Sequence, residues 1–180
     1  MSSDYGVDWG SLRTSHGVGM DPGLVRALLH APDAGSGGKA SDQLEYAAFY
    51  SRQLEEAALP VTRVLVDAVC KGECTYWGTV YATDALVEIT CSHTSAGRTD
   101  LPDRCRAVVR AYLPCLYRMA DDETTDDTVL SSLIIIVHNT EDDAPTRRAF
   151  LERLSRRDLD VLSADEVSRQ LAKEHQRQEK

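Results

Sequence analysis

The stretch "MADDETTDDTVLSSLIIIVHNTEDD", Met119 to Asp143, decides the fold. At its centre "VLSSLIIIVH" is rich in β-branched residues, and three consecutive isoleucines suit a buried strand. Thr124 and Asp127, just ahead of the apolar run, have the spacing of a capping box, which points instead to a helix start. No second run along the chain offers a convincing partner strand, and a lone strand leaves its backbone groups unpaired. The stretch therefore reads as a helix over Thr125–Asn139. A helix apolar on nearly all sides is covered on both flanks, as in the middle layer of a stack.

The remainder of the chain reads as helix after helix. "SDQLEYAAFYSRQLEEA" places Leu44, Ala48, Ser51 and Leu54 on one face, with Ser41 as a capable N-cap. "ALPVTRVLVDAVC" repeats Val61, Leu65 and Val69 at four-residue spacing, and "TYWGTVYATDALVEITC" aligns Ala82, Leu86 and Ile89. "DRCRAVVRAYLPCLYRMA" lines up Cys105, Val109, Tyr112, Leu116 and Met119, and Pro114 in its middle is expected to kink it. The last helix is expected to open at Ser163, with Glu166 three residues on. "APDAGSGGKA", Ala31 to Ala40, reads as a flexible loop from its glycines. Residues 1–40 are thus expected to form an N-terminal segment ending in that loop. Residues 41–180 are expected to form the helical domain, the whole being one structural unit.

Composition limits the function classes. The chain has 180 residues and a formal charge of -9. That balance disfavours gripping phosphate backbones, so no nucleic-acid partner is expected. A basic protein is the natural partner of such a chain. The opening "MSSDYGVDWG" carries neither a basic region nor an apolar run, and the longest apolar stretch, "LIIIV", is too short to span a bilayer. A cytoplasmic protein with no membrane contact is the expectation. Five cysteines, an odd number in helical settings, read as reduced thiols.

Three constellations bear on chemistry. The acids Asp121, Asp122, Glu123, Asp126 and Asp127 precede the central helix, and Glu141, Asp142 and Asp143 follow it. "DDETTDD" has no central glycine for a calcium loop. Its two clusters also lie about 20 Å apart along a helix. Capping of helix N-termini is one reading of these acids, and a surface for a basic partner is the other. Cys70, Cys74, Cys91 and His93 are ordered ligands for zinc, but C-x3-C…C-x-H matches no strong zinc pattern, so no metal or cofactor is expected. Trp77 and Tyr81 are i, i+4 neighbours, and Tyr46, Phe49 and Tyr50 form a second aromatic patch. Either patch, if exposed, is a candidate binding hot spot. No nucleophile, base and orienter assemble, which leans away from an enzyme.

"AALPVTRVLVDA" and "RAYLPCLYRMAD" align with one another, and "DDAPTRRAFLERL" is a looser third copy. Helix pairs of this size with a recurring proline resemble HEAT-like α-helical repeats over roughly residues 41–158. The segment "DWGSLRTSHGVGMDPGLVRALL" is similar to the lead-in of some bacterial HEAT-like proteins. The resemblance implies an all-α stack of antiparallel helix pairs, with an orthogonal helical bundle as the alternative. It also brings in repeat-built DNA glycosylases, whose basic groove contrasts with the acidic middle of this chain. The function expected is an interaction protein, in its sharpest form an immunity or inhibitor protein. It would cover a basic partner with Asp121, Asp122, Glu123, Asp126 and Asp127, and with Trp77 and Tyr81. The alternative is a small enzyme or ligand-binding protein with a pocket among Trp77, Tyr81, His16 and His93.

Overall fold

The structure, a computed structural model, describes residues 4–95 and 99–178. Residues 1–3 of the opening segment and 96–98 of the "SHTSAGRTDLP" insert lie outside the described residues. The fold is all-α. The described residues hold nine α-helices, and the few strands among them are two residues long. Two compact units divide between Tyr112 and Leu113, not at residue 40.

The first unit holds α1 (Gly23–Leu29), α2 (Ala34–Ala48), α3 (Ala58–Lys71), α4 (Tyr76–Cys91) and α5 (Leu101–Arg110). Helix α3 packs against α4 and α5, while α1 and α2 pack on each other and on α4. Val61, Leu65, Leu86 and Ile89 are fully buried at the centre. Helix α3 stops at Gly72, whose left-handed backbone (φ 68°) lets the Glu73 N–H reach back to the Ala68 carbonyl. Buried Thr62, Thr83 and Thr90 donate to carbonyls within their own helices, so none leaves an unmet hydroxyl.

The expected flexible loop over residues 31–40 is instead the first half of α2. Asp33 caps it, accepting from the Ser36 N–H at 2.7 Å. Glycine costs a helix about 1 kcal/mol relative to alanine, so the reason for Gly37 is tertiary. A Cβ there would run into the Tyr81 ring of α4, and the Tyr81 hydroxyl donates to the Ala34 carbonyl at 2.9 Å. The glycines admit a neighbouring aromatic ring rather than loosen the chain.

The second unit holds α6 (Leu113–Asp121), α7 (Asp127–Thr140), α8 (Ala144–Leu154) and α9 (Val161–Gln178). The central stretch is helical, as its caps imply, and α6, α8 and α9 all pack on it. No residue from Val129 to Thr140 is exposed. The start differs from the expectation. Asp126 is the N-cap, accepting from the Thr128 N–H at 2.9 Å, while the Thr124 hydroxyl donates to Asp122. Pro114 does not kink a long helix. It is the second residue of α6, and the chain breaks at Ala111–Tyr112, where a missing N–H matters least. Ser163 does not cap α9 either. The helix begins at Val161, and the Ser163 N–H donates to the Asp127 carboxylate of α7 at 3.1 Å.

Candidate functional site

A concavity in the first unit, about 460 Å³, is lined by His16, Leu24, Asp42, Gln43, Tyr46 and Ala47. Its geometry follows from two local features. The first is a hairpin in which Arg13–Thr14 (β1) pairs antiparallel with Gly17–Val18 (β2). Gly17 at φ 127° closes this two-residue turn, and the His16 N–H donates to the Thr14 hydroxyl at 3.2 Å. The hairpin is tied to α2 through Ser15, whose N–H donates to the Ala47 carbonyl and whose hydroxyl donates to that of Tyr46. That anchor carries the His16 ring to 4.2 Å from the Tyr46 ring.

The second feature is the exit from α2. Tyr50 follows the last turn and meets Tyr46 edge to face at 4.9 Å. Ser51 and Arg52 both have positive φ. Arg52 is held there by a bidentate pair with Glu88 of α4, at 2.9 and 3.1 Å. Beyond it, Gln53–Leu54 (β3) pairs with Thr94–Ser95 (β4). The outcome is a surface row of three aromatic rings, with Tyr46 45% and Tyr50 51% exposed and Asp42 at the edge. Tyrosine side chains presented this way supply amphipathic contact area at low entropic cost.

The expected site residues are placed elsewhere. Trp77 meets Tyr76 edge to face at 5.0 Å and Tyr81 at a tilt at 6.4 Å, and Tyr81 is engaged with α2 as described. Of the expected pocket, only His16 lines the concavity; Trp77, Tyr81 and His93 do not. The acidic segment is largely occupied by helix ends. Asp121 receives a bidentate pair from Arg153 at 3.0 Å, and Asp122 folds back on Thr124. Asp126 caps α7, Asp127 holds Ser163, and Asp143 caps α8 through Thr146. Asp121, Asp122 and Glu123 are nonetheless exposed, whereas Asp126 and Asp127 are half-buried.

The same hydrogen bonds set the acid strengths of these carboxyls. Hydrogen bonds from Ser36 hold the Asp33 carboxyl below its ordinary value, and those from Thr124 and Thr146 do the same for Asp122 and Asp143. Burial pushes the thiols of Cys74 and Cys105 up to about 11, so neither is an activated nucleophile. Among the described residues no three His, Cys, Asp or Glu side chains are grouped to hold a metal ion.

The aromatic row was half legible in the sequence. Tyr46 and Tyr50 stand one helical turn apart, but the contribution of His16 depends on a hairpin anchored to α2, which no local pattern announces. No protein-family model, curated protein or solved structure matches the chain. No helix among the described residues is long and apolar enough to cross a membrane.

Proposed function

We propose that this chain is a small cytoplasmic interaction protein, HEAT-like in its helix stacking, that binds a basic protein partner. The observation that carries the reading is the exposed His16–Tyr46–Tyr50 row beside Asp42. Aromatic faces and a carboxylate suit an arginine or lysine side chain, through cation–π attraction and ion pairing. The net charge of -9 favours the approach of such a partner. Exposed Asp121, Asp122 and Glu123 add to that field, although most acids of their segment also serve helix ends. An immunity or inhibitor protein is the sharpest form of this reading, since a basic enzyme or toxin offers the complementary surface.

The test compares the tagged full chain with its Tyr46→Ala, Tyr50→Ala double variant. Each is incubated with lysate of the source organism, and retained proteins are identified by mass spectrometry. The reading expects a strongly basic protein that the wild type retains and the variant binds at least about tenfold more weakly, as for truncated aromatic hot spots. The variant's melting temperature should match the wild type within a few degrees, because both rings are half exposed. Retention of the same proteins by both would remove the aromatic row from the binding surface.

A further inference from the structure

The second unit contains a helix whose docked face does not match what it covers. Ser163, Glu166, Val167, Gln170 and Glu174 are the buried residues along α9, each at most 3% exposed. They recur at helical spacing and form one face. Four of the five are polar. Helix α7, the neighbour against which α9 packs most extensively, is the apolar helix of the chain.

Two clamps fix how α9 lies on α7. At one end Ser163 donates to Asp127, through its N–H to the carboxylate and its hydroxyl to the carbonyl. At the other, Glu174 stands 3.0 Å from His138 and accepts two bonds from Arg147 of α8, at 2.8 and 3.0 Å. Asp127–Ser163 and His138–Glu174 are both separated by 36 residues. The two helices therefore run parallel and in register, which places Glu166 and Gln170 level with Leu130 and Ile134 of α7. Leu130 and Ile134 are buried and apolar. Between the clamps, Gln170 donates to Glu166, but the Gln170 Oε1 is buried with no hydrogen-bond partner. Glu166, itself buried, is met by Arg169 at 2.7 Å, whose side chain is 62% exposed. The Gln170 Oε1 thus forfeits hydration without compensation, while Glu166 keeps its two partners at the helix edge.

We propose that α9 is a displaceable strap, and that the α7 wall beneath it receives an amphipathic helix of a partner protein. That helix would be apolar where α9 carries Glu166 and Gln170, and acidic where it carries Glu174. The apolar positions answer Leu130 and Ile134, and the carboxylate answers the Arg147 guanidinium, otherwise a buried cation without a counter-charge, with His138 beside it. Because α9 is tethered, it competes at high effective concentration, so only a helix with the better match displaces it. The proposal uses none of the residues of the aromatic row and does not depend on it.

Three synthetic peptides covering residues 159–178 test the proposal against the full-length chain. One has the native sequence, one carries Glu166→Leu and Gln170→Leu, and the third adds Glu174→Gln to those two changes. The doubly substituted peptide should bind at least about tenfold more tightly than the native one, the gain expected from two buried leucines after competition with α9. Its binding should raise deuterium uptake across residues 161–176 of the chain itself. Adding Glu174→Gln should weaken binding by about tenfold or more, because the charge-assisted bonds to Arg147 are lost. Placed in the chain instead, Glu166→Leu and Gln170→Leu should slow exchange in α9 and abolish peptide binding. Three results would each overturn the proposal. They are no binding by the doubly substituted peptide, binding that leaves α9 exchange unchanged, and affinity indifferent to Glu174→Gln. If the substituted chain fails to fold, the peptide arms on the wild-type chain still decide. Tyr46→Ala should leave all peptide affinities unaltered, which separates this surface from the proposed partner site.

Discussion

Glu174 lies 3.0 Å from His138 and accepts from Nε and Nη2 along one edge of the Arg147 guanidinium, all three side chains being almost wholly buried. Arg147 also donates to the Glu141 carbonyl at the end of α7, so one cation joins α7, α8 and α9. Breaking a buried pair by removing one partner leaves an uncompensated charge. Glu174→Ala and Arg147→Ala are each expected to cost about 3–5 kcal/mol in urea denaturation. The combined Arg147→Met, Glu174→Met variant should lose much less than the sum of the two, since no lone charge remains. Strict additivity would show that the two side chains do not act as a pair.

The interlock between α2 and α4 predicts a coupled defect. Gly37→Ala should destabilise the chain by about 1–3 kcal/mol, because the new methyl group meets the Tyr81 ring. Combining it with Tyr81→Leu should recover part of that loss, although the bond to the Ala34 carbonyl is gone. Thermal melts of the two single variants and the double variant give the coupling. Equal losses with and without Tyr81 would mean that the glycine serves another purpose.

Such long-range reasons set the limit of what the sequence disclosed. The helices α3, α4 and α7 are visible in the spacing of Val61, Leu65 and Val69, of Ala82, Leu86 and Ile89, and in the apolar run of residues 129–137. Their local propensities and tertiary roles agree. The second half of α2 is visible in the spacing of Leu44 and Ala48, but its first half is not, because Gly37 makes sense only once Tyr81 is beside it. The start of α9 was misplaced for a related reason. Ser163 resembles a cap, but its N–H is met by Asp127, which lies 36 residues earlier in the chain. Pro114 was read inside a helix since apolar periodicity continues across it, and periodicity alone does not reveal the break at Tyr112. Of the candidate site, the acids and tyrosines were legible as residue types, while their neighbours were not.

The helix-end carboxylates predict a pH dependence whose sign follows from their lowered values. Asp33 and Asp143 are held below the ordinary 3.8 in the folded chain by Ser36 and Thr146. Their charged forms therefore favour folding above that value, and the contribution is lost as pH falls through the lower folded values. Asn also caps helices, so Asp33→Asn and Asp143→Asn remove mainly the charge. The melting temperature of the double variant should fall below that of wild type near neutral pH, and the gap should close as pH falls through the folded-state values of the two carboxyls. A gap that persists at lower pH would assign the effect to something other than ionisation.

Thiol accessibility separates Cys105 from its neighbours. It is fully buried on α5, and burial raises its thiol to about 11. In the folded chain it should be the slowest of the five cysteines to react with iodoacetamide, and all five should react once the chain is unfolded. Fast alkylation of Cys105 under native conditions would contradict the packing of α5 on α3.

The acidic cluster ahead of α7 can be tested apart from the caps. Asp121→Asn, Asp122→Asn and Glu123→Gln together should cost no more than about 1 kcal/mol, since the Asp121–Arg153 pair is half exposed. If these acids steer a basic partner, the triple variant should associate more slowly, with a flatter dependence on salt. Unchanged association kinetics would confine the acids to helix ends.

The most direct measurement of the central claim is photo-crosslinking from the aromatic row. A photoreactive phenylalanine analogue at position 46 of the full-length chain should, on irradiation in the source organism, capture a basic protein. The cross-linked residue should lie beside an arginine or lysine of that protein. Capture of no basic protein from position 46 would contradict a partner seated on His16, Tyr46 and Tyr50.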